Sequence, residues 1–452
     1  MALTPGRRSG SYEIADPIVS DGMGVRAGFY GWKNVVCLFV IYGITIGFIN
    51  YGFTVIFPAM IQAEGWGRGD ASLAHTIRSL LVGLIAPLAA LSLVKLGPRI
   101  TVRIGFTLGA VALALLGTVT TELWHWTLLW GLAMPATFAL SGVLSVQTVV
   151  NFWFSRRRAT ALGVVVTGAA VAGFVGAPLF TYLIEASGTW RSGWLAASGF
   201  CVVGVIVTFF LQNTPADLGQ HPDGIDPDPH LEEDSAAQAH SAKPKAKGTY
   251  RTKESWTLRE ALRTQAVWLY LVCSLGQLWA INMVTVHGVL HLIDKGFSQM
   301  QSASVIANFI LFSGFARFPV GVLADRVEPR ILASIALFGM VIAVLGLWQV
   351  PSNLFWVLAI SGTYGFCFGS MVITFSMIIA NYYGPTAFAP IKGFFTPISI
   401  LVSAPLPFVA GLIFDHYGSY DWAFIPVATM VFLSAICSLF LYPPQKRPQD
   451  LQ

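Results

Sequence analysis

LFSGFARFPVGVLADRVEPR, Leu311 to Arg330, is an apolar run that carries one arginine, Arg317, and ends in a charged loop. On a helix Arg317 stands about 12 Å from Asp325, at about 1.5 Å per residue, which puts a cation deep inside the apolar run. The end of this segment has a partner elsewhere in the chain. At an offset of 231 residues, Pro329, Arg330 and Ile331 repeat Pro98, Arg99 and Ile100, and within one position Gly296-Phe297 repeats Gly65-Trp66. Ala-Pro-Leu also occurs twice, at 177–179 and 404–406. The chain therefore reads as two copies of one unit, an arrangement in which a binding site is expected between the halves near the bilayer midplane.

Working outward, twelve apolar stretches begin near Val35, Ala71, Val102, Trp124, Ala159, Gly193, Ala266, Met300, Ile331, Leu354, Phe388 and Trp422. Each is long enough for the roughly 20 apolar residues that a helical crossing needs, and none shows the alternation of a barrel strand. Of the 452 residues 55% are hydrophobic and 11% charged, far below the roughly 25% charge of a soluble domain. The expected fold is an all-α integral membrane protein of twelve transmembrane helices in two pseudo-twofold six-helix bundles.

The expected division is a cytoplasmic tail over 1–28, an N-terminal bundle over 29–212, a cytoplasmic linker over 213–264, a C-terminal bundle over 265–443 and a cytoplasmic tail over 444–452. The linker is polar and too poor in apolar residues to pack, so it reads as a solvated tether. With the N-terminus inside, all but six of the 27 Lys and Arg fall on the cytoplasmic side, the expected positive-inside pattern. Arg68, Arg191 and Lys295 fall outside, while Arg78, Arg317 and Lys392 lie within spans. This explains the net charge of +5 without nucleic acid, and it points to a multi-pass protein of the inner (plasma) membrane. The first helix is expected to serve as the membrane signal, since the 28 residues before it do not read as a signal peptide. The five cysteines all fall in spans, so a disulfide framework is not expected.

GVLADRVEPR, Gly321 to Arg330, resembles the loop signature of the major facilitator superfamily. Its first-half copy ALSLVKLGPR has Val94 where that family usually has an acid. GFYGWKNVV (Gly28 to Val36) and NFWFSRRRATALGVVVTGAAVAG (Asn151 to Gly173) narrow the likeness to the monocarboxylate transporters and the related oxalate and formate exchangers. The resemblance implies a carboxylate-binding role for Arg317. It also implies a departure, because Ser313 stands four residues earlier, where many members carry a proton-coupling acid.

The residues support a carboxylate independently. A guanidinium offers a planar fork that fits a carboxylate, and Glu185, Asp294, Asp325 and Asp415 all lie near helix ends, away from Arg317. The alternative is an ion pair with one of these or with backbone carbonyls. His287 is the candidate proton carrier, because imidazole titrates near neutral pH. Asn50 and Tyr51, with Asn282 at the repeat position of Tyr51, are candidate cavity residues, with interhelical hydrogen bonding as the ordinary alternative. Ser313 could bond substrate or simply pack. Tyr364, Phe366 and Cys367, among the glycines of one span, suit the wall of a small pocket. Asp325, Arg326, Lys392 and Arg78 are assigned to gating.

No nucleotide loop, metal-ligand spacing or dinucleotide turn is present, so no cofactor and no enzyme activity is expected. The expected function is alternating-access transport of a short monocarboxylate, such as lactate or pyruvate, in symport with a proton. The partners are then that anion, the proton and the lipid bilayer, with a monomer as the working unit. An oxalate/formate-type exchanger and a transporter-like nutrient sensor are the alternatives.

Overall fold

The computed structural model describes residues 28–154, 157–225, 249–252, 254–324 and 326–446, and every regular element among them is a helix. Ten helices are long and apolar enough to cross a bilayer. One of these, Arg68–Val119, is two helices meeting at Gly97, and the shorter apolar helix Arg191–Val207 brings the number among the described residues to twelve. In chain order they are α1 (Gly31–Glu64), α2 (68–96), α3 (98–119), α4 (Leu123–Trp153), α5 (Thr160–Ser187) and α6 (Arg191–Val207). The second set is α7 (Gln265–Asp294), α8 (Gln299–Ala324), α9 (Pro329–Gln349), α10 (Leu354–Gly384), α11 (Pro390–Tyr417) and α12 (Asp421–Leu439).

The turn between α2 and α3 shows why a glycine is needed there. Gly97 has φ 77°, and a Cβ on it would lie 2.8 Å from the Asn213 amide. That amide is occupied, since Asn213 Oδ1 accepts the Arg99 N–H at 2.8 Å and so caps the start of α3. Gly384, with φ 75°, makes the corresponding turn after α10.

Peripheral faces are apolar, as lipid contact requires: Ile335 and Ile342 of α9 and Val111 of α3 are all exposed. Helices in lipid gain little from burying more apolar surface against each other, so small residues decide how closely they pack. Gly43 and Gly47 let α1 lie against Gly168 and Ala172 of α5. In that contact α1 runs as a π-helix from Gly43 to Tyr51, a departure from α-geometry that is frequent at functional sites.

The two bundles meet where α1 contacts α7, α2 contacts α11 and α5 contacts α8. The described hydrogen bonds that join them run from mid-membrane to the end opposite the linker. Thr76 Oγ1 donates to the Ala404 carbonyl at 2.8 Å. At the start of α2, the N–H groups of Arg68 and Gly69 donate to the Asp415 carboxylate at 2.9 and 2.7 Å, an anion capping a helix N-terminus. The Arg68 guanidinium grips Asp294 with both terminal nitrogens, at 2.5 and 2.8 Å, and lies 3.6 Å over the Phe414 ring. Asp294 and Asp415, expected only as helix-end carboxylates, thus form a lock between the bundles.

The described ends of the linker pack on the bundles. The first packs on the N-terminal bundle, with Tyr30 N–H donating to Gln220 and Arg99 N–H to Asn213. The second packs on the C-terminal bundle through Thr252 N–H to the Asn381 carbonyl and Tyr250 N–H to Glu328. In the short helix Leu258–Leu262, the Thr257 N–H and then Lys446 hold the Glu260 carboxyl below its ordinary range.

Candidate functional site

Arg317 projects from α8 toward the interface between the bundles. It is half-buried and makes no hydrogen bond or ion pair among the described residues. Its Nε is buried without a partner, whereas both terminal nitrogens, equally unpaired, remain accessible. A guanidinium so placed is costly in a membrane helix, by about 2.5 to 3.5 kcal/mol on insertion scales. Unlike Arg68, it has no partner among the described residues to offset that cost, and its fork stays accessible.

Two tyrosines of α1, Tyr42 and Tyr51, lie close enough to Arg317 to interact electrostatically. They are nine residues apart, and a regular α-helix, at about 100° per residue, would set them on opposite faces. The i→i+5 bonding of the π-helical segment lowers the rotation per residue and brings both round to the arginine. Sequence reasoning found Tyr51 and missed Tyr42 for this reason. The Tyr51 ring packs against Gly173 of α5 and meets Phe309 edge-on at 6.3 Å. Phe309 in turn meets Tyr364 and Phe368 of α10 at 5.3 and 5.8 Å. The Tyr364 hydroxyl is buried with no partner, as is that of Ser313 one turn before Arg317, where Gly369 of α10 presses on the backbone.

The other expected residues are placed elsewhere. Phe366 and Cys367 do not border the pocket that Tyr364 and Phe309 line. They line an apolar groove with Asn308, Phe312 and Phe355, and the Cys367 thiol faces Gly339 of α9. Asn282 donates to the Ser403 carbonyl at 3.2 Å, tying α7 to α11. Asn50 accepts from Arg78 at 3.3 Å.

His287 is fully buried at the lock. Its Nε2 lies 2.7 Å from the Pro407 carbonyl, which can only accept, so Nε2 carries the proton and Nδ1 accepts from the Tyr420 hydroxyl at 2.9 Å. Tyr420 also accepts from Arg68 at 3.1 Å, so one hydrogen-bonded chain runs from Asp294 through Arg68 and Tyr420 to His287. Of the expected gating residues, Lys392 donates to the Tyr270 hydroxyl at 2.8 Å within the C-terminal bundle, and Arg326 is exposed at the linker end. Asp325 lies outside the described residues.

The Major Facilitator Superfamily model matches residues 38–404 and 309–452. Relatives over nearly the whole chain include Monocarboxylate transporter 12 of Rattus norvegicus, 25% identical over 431 residues that cover 90% of this chain and 85% of the relative. Monocarboxylate transporter 13 of Bos taurus is 25% identical over 442 residues, covering 94% and 93%. Similar solved structures include a bacterial homologue of the human lysosomal transporter Spinster in an inward-facing, occupied conformation, with TM-score 0.69 and 12% identity over 92% of this chain and 97% of that one. A mutant of the nucleoside transporter NupG has TM-score 0.67 and 12% identity, covering 90% and 99%. At such identities the structures speak for the fold alone.

Proposed function

The chain belongs to the Major Facilitator Superfamily, a transporter and not an enzyme, and we propose that it carries short monocarboxylates such as lactate or pyruvate in symport with a proton. The observation that carries this reading is the unpaired, accessible fork of Arg317 between the bundles. A single carboxylate satisfies both terminal nitrogens, while the Tyr51, Phe309 and Tyr364 rings suit a short apolar tail. The likeness to monocarboxylate transporters supports the same substrate class.

The basic loops orient the linker and both termini toward the cytoplasm of the inner membrane. The lock at Arg68 then closes the outer end, and this arrangement is the inward-open form of a monomeric carrier. Outward opening must break the pairs of Arg68 and Gly69 with Asp294 and Asp415.

The proton enters this scheme at His287, in place of the acid missing at Ser313. Protonation at Nδ1 turns an acceptor into a donor. The Tyr420 O–H then loses its acceptor and turns away, and its oxygen faces two cations, Arg68 and the imidazolium, whose like charges weaken the lock. His75 and Arg68 on α2, and His291 one turn along α7 against the same Tyr420 ring, are among the other charged or titratable groups near His287.

Proteoliposomes test this directly. An inward proton gradient should accelerate labelled lactate uptake at least several-fold, and His287→Gln should remove that acceleration while ungated exchange persists. Equal wild-type uptake with and without the gradient rejects symport. Stimulation by preloaded anion alone identifies an exchanger.

A further inference from the structure

A second arginine in the membrane has no acid beside it. Arg78 of α2 is 7% exposed, and no carboxylate pairs with it among the described residues. Its Nη2 bonds Asn50 Oδ1 and His75 Nε2, each at 3.3 Å, and its guanidinium lies 4.4 Å from the Phe138 ring centre. An arginine only donates, so His75 Nε2 is the acceptor and Nδ1 carries the proton. Both that Nδ1 and Arg78 Nε are buried without a partner, and Nη1, also unpaired, is accessible. Three donors thus lack acceptors in one cluster, in a medium where an unmet polar group is expensive. Neutral contacts and aromatic faces only partly offset a buried guanidinium.

The cluster adjoins the site already described, because Asn50 precedes Tyr51 on the π-helical segment, with Arg78 on one side and Arg317 on the other. At the 231-residue repeat offset Arg317 corresponds to Ala86, so Arg78 lies about 12 Å further along the path, toward the locked end.

We propose that Arg78, with His75 and Asn50, forms a second acceptor-binding subsite, so that beside the plain monocarboxylates the carrier binds more tightly those short acids whose far end carries another acceptor, most strongly a second carboxylate. The inference rests on the carboxylate reading of Arg317. One bundle then holds each end of the ligand, so closure of the bundles around it depends on both ends.

The test is competition against labelled butyrate uptake by unlabelled diacids of three to six carbons and by monoacids of matching length. At one chain length the diacid should compete about tenfold better, the effect of one added charge-assisted hydrogen-bonded contact. Arg78→Met should collapse that ratio toward one. Asn50→Asp, which gives Arg78 a permanent acid at nearly unchanged volume, should do the same. A structural role for Arg78 predicts the opposite pattern, with both competitors weakened together and the ratio kept. A wild-type ratio near one at every length, or a ratio that survives both substitutions, overturns the inference and leaves the transport reading intact. Absence of any uptake of monoacids by the wild-type protein defeats the transport reading first and this inference with it.

Discussion

Arg317→Gln should lower kcat/KM for lactate uptake at least about a hundredfold, because the fork that receives the carboxylate is lost. Two charge-assisted hydrogen bonds at about 1.5 to 3 kcal/mol each set the scale. Arg317→Lys should recover only part of the activity, since an ammonium is a point charge without paired donors. Thermal stability should not fall in either variant. Arg317 has no partner among the described residues, so replacing it breaks no described bond, and Arg317→Gln also relieves an insertion cost of about 2.5 to 3.5 kcal/mol. An arginine that served only the fold would show the reverse, with a lower Tm and uptake lost only in proportion to folded protein. Wild-type lactate uptake by Arg317→Ala would sink the proposed function.

Arg68→Ala should have the second largest effect, and on conformation rather than affinity. It removes the paired contact with Asp294, the stack on Phe414 and the bond to Tyr420. A fully buried pair broken in this way costs about 3 to 5 kcal/mol. The Asp294 side chain keeps 30% exposure, so solvent screening reduces the figure to ~2 kcal/mol. That shifts the equilibrium between closed and open outer ends by about thirtyfold. A cysteine introduced as Thr76→Cys, in a background without the five native cysteines, should then react about thirtyfold faster with an impermeant thiol reagent from the side opposite the linker. Unchanged labelling means that the outer end is held by other contacts.

The two arginines were legible in the sequence to different depths, for a physical reason. Arg317 stands in an apolar run, and any cation in such a run demands explanation. Arg68 stands beside Asp70 at a helix end, where charges are ordinary. Its partner Asp294 is 226 residues away, and no local pattern announces such a pair. His287 was likewise visible as a titratable group in a span, but its neighbours, the Pro407 carbonyl and the Tyr420 hydroxyl, come from distant chain. Only their contact moves it from the substrate cavity to the lock.

Local chemistry was enough to determine the crossings and the bundles. Membrane thickness makes each helix readable as a run of apolar residues, the repeat shows up as recurring turn residues, and a cation at membrane depth cannot be hidden by composition. Side-chain direction is a different matter. It depends on the rotation of each helix about its axis, which packing sets. The π-helical stretch of α1 turns Tyr42 toward Arg317, the pocket that Phe309 lines takes Tyr364 and leaves out Phe366 and Cys367, and the meeting of α1 with α2 gives Asn50 to Arg78. These outcomes follow from contacts between helices far apart in the chain, and only the tertiary structure decided them.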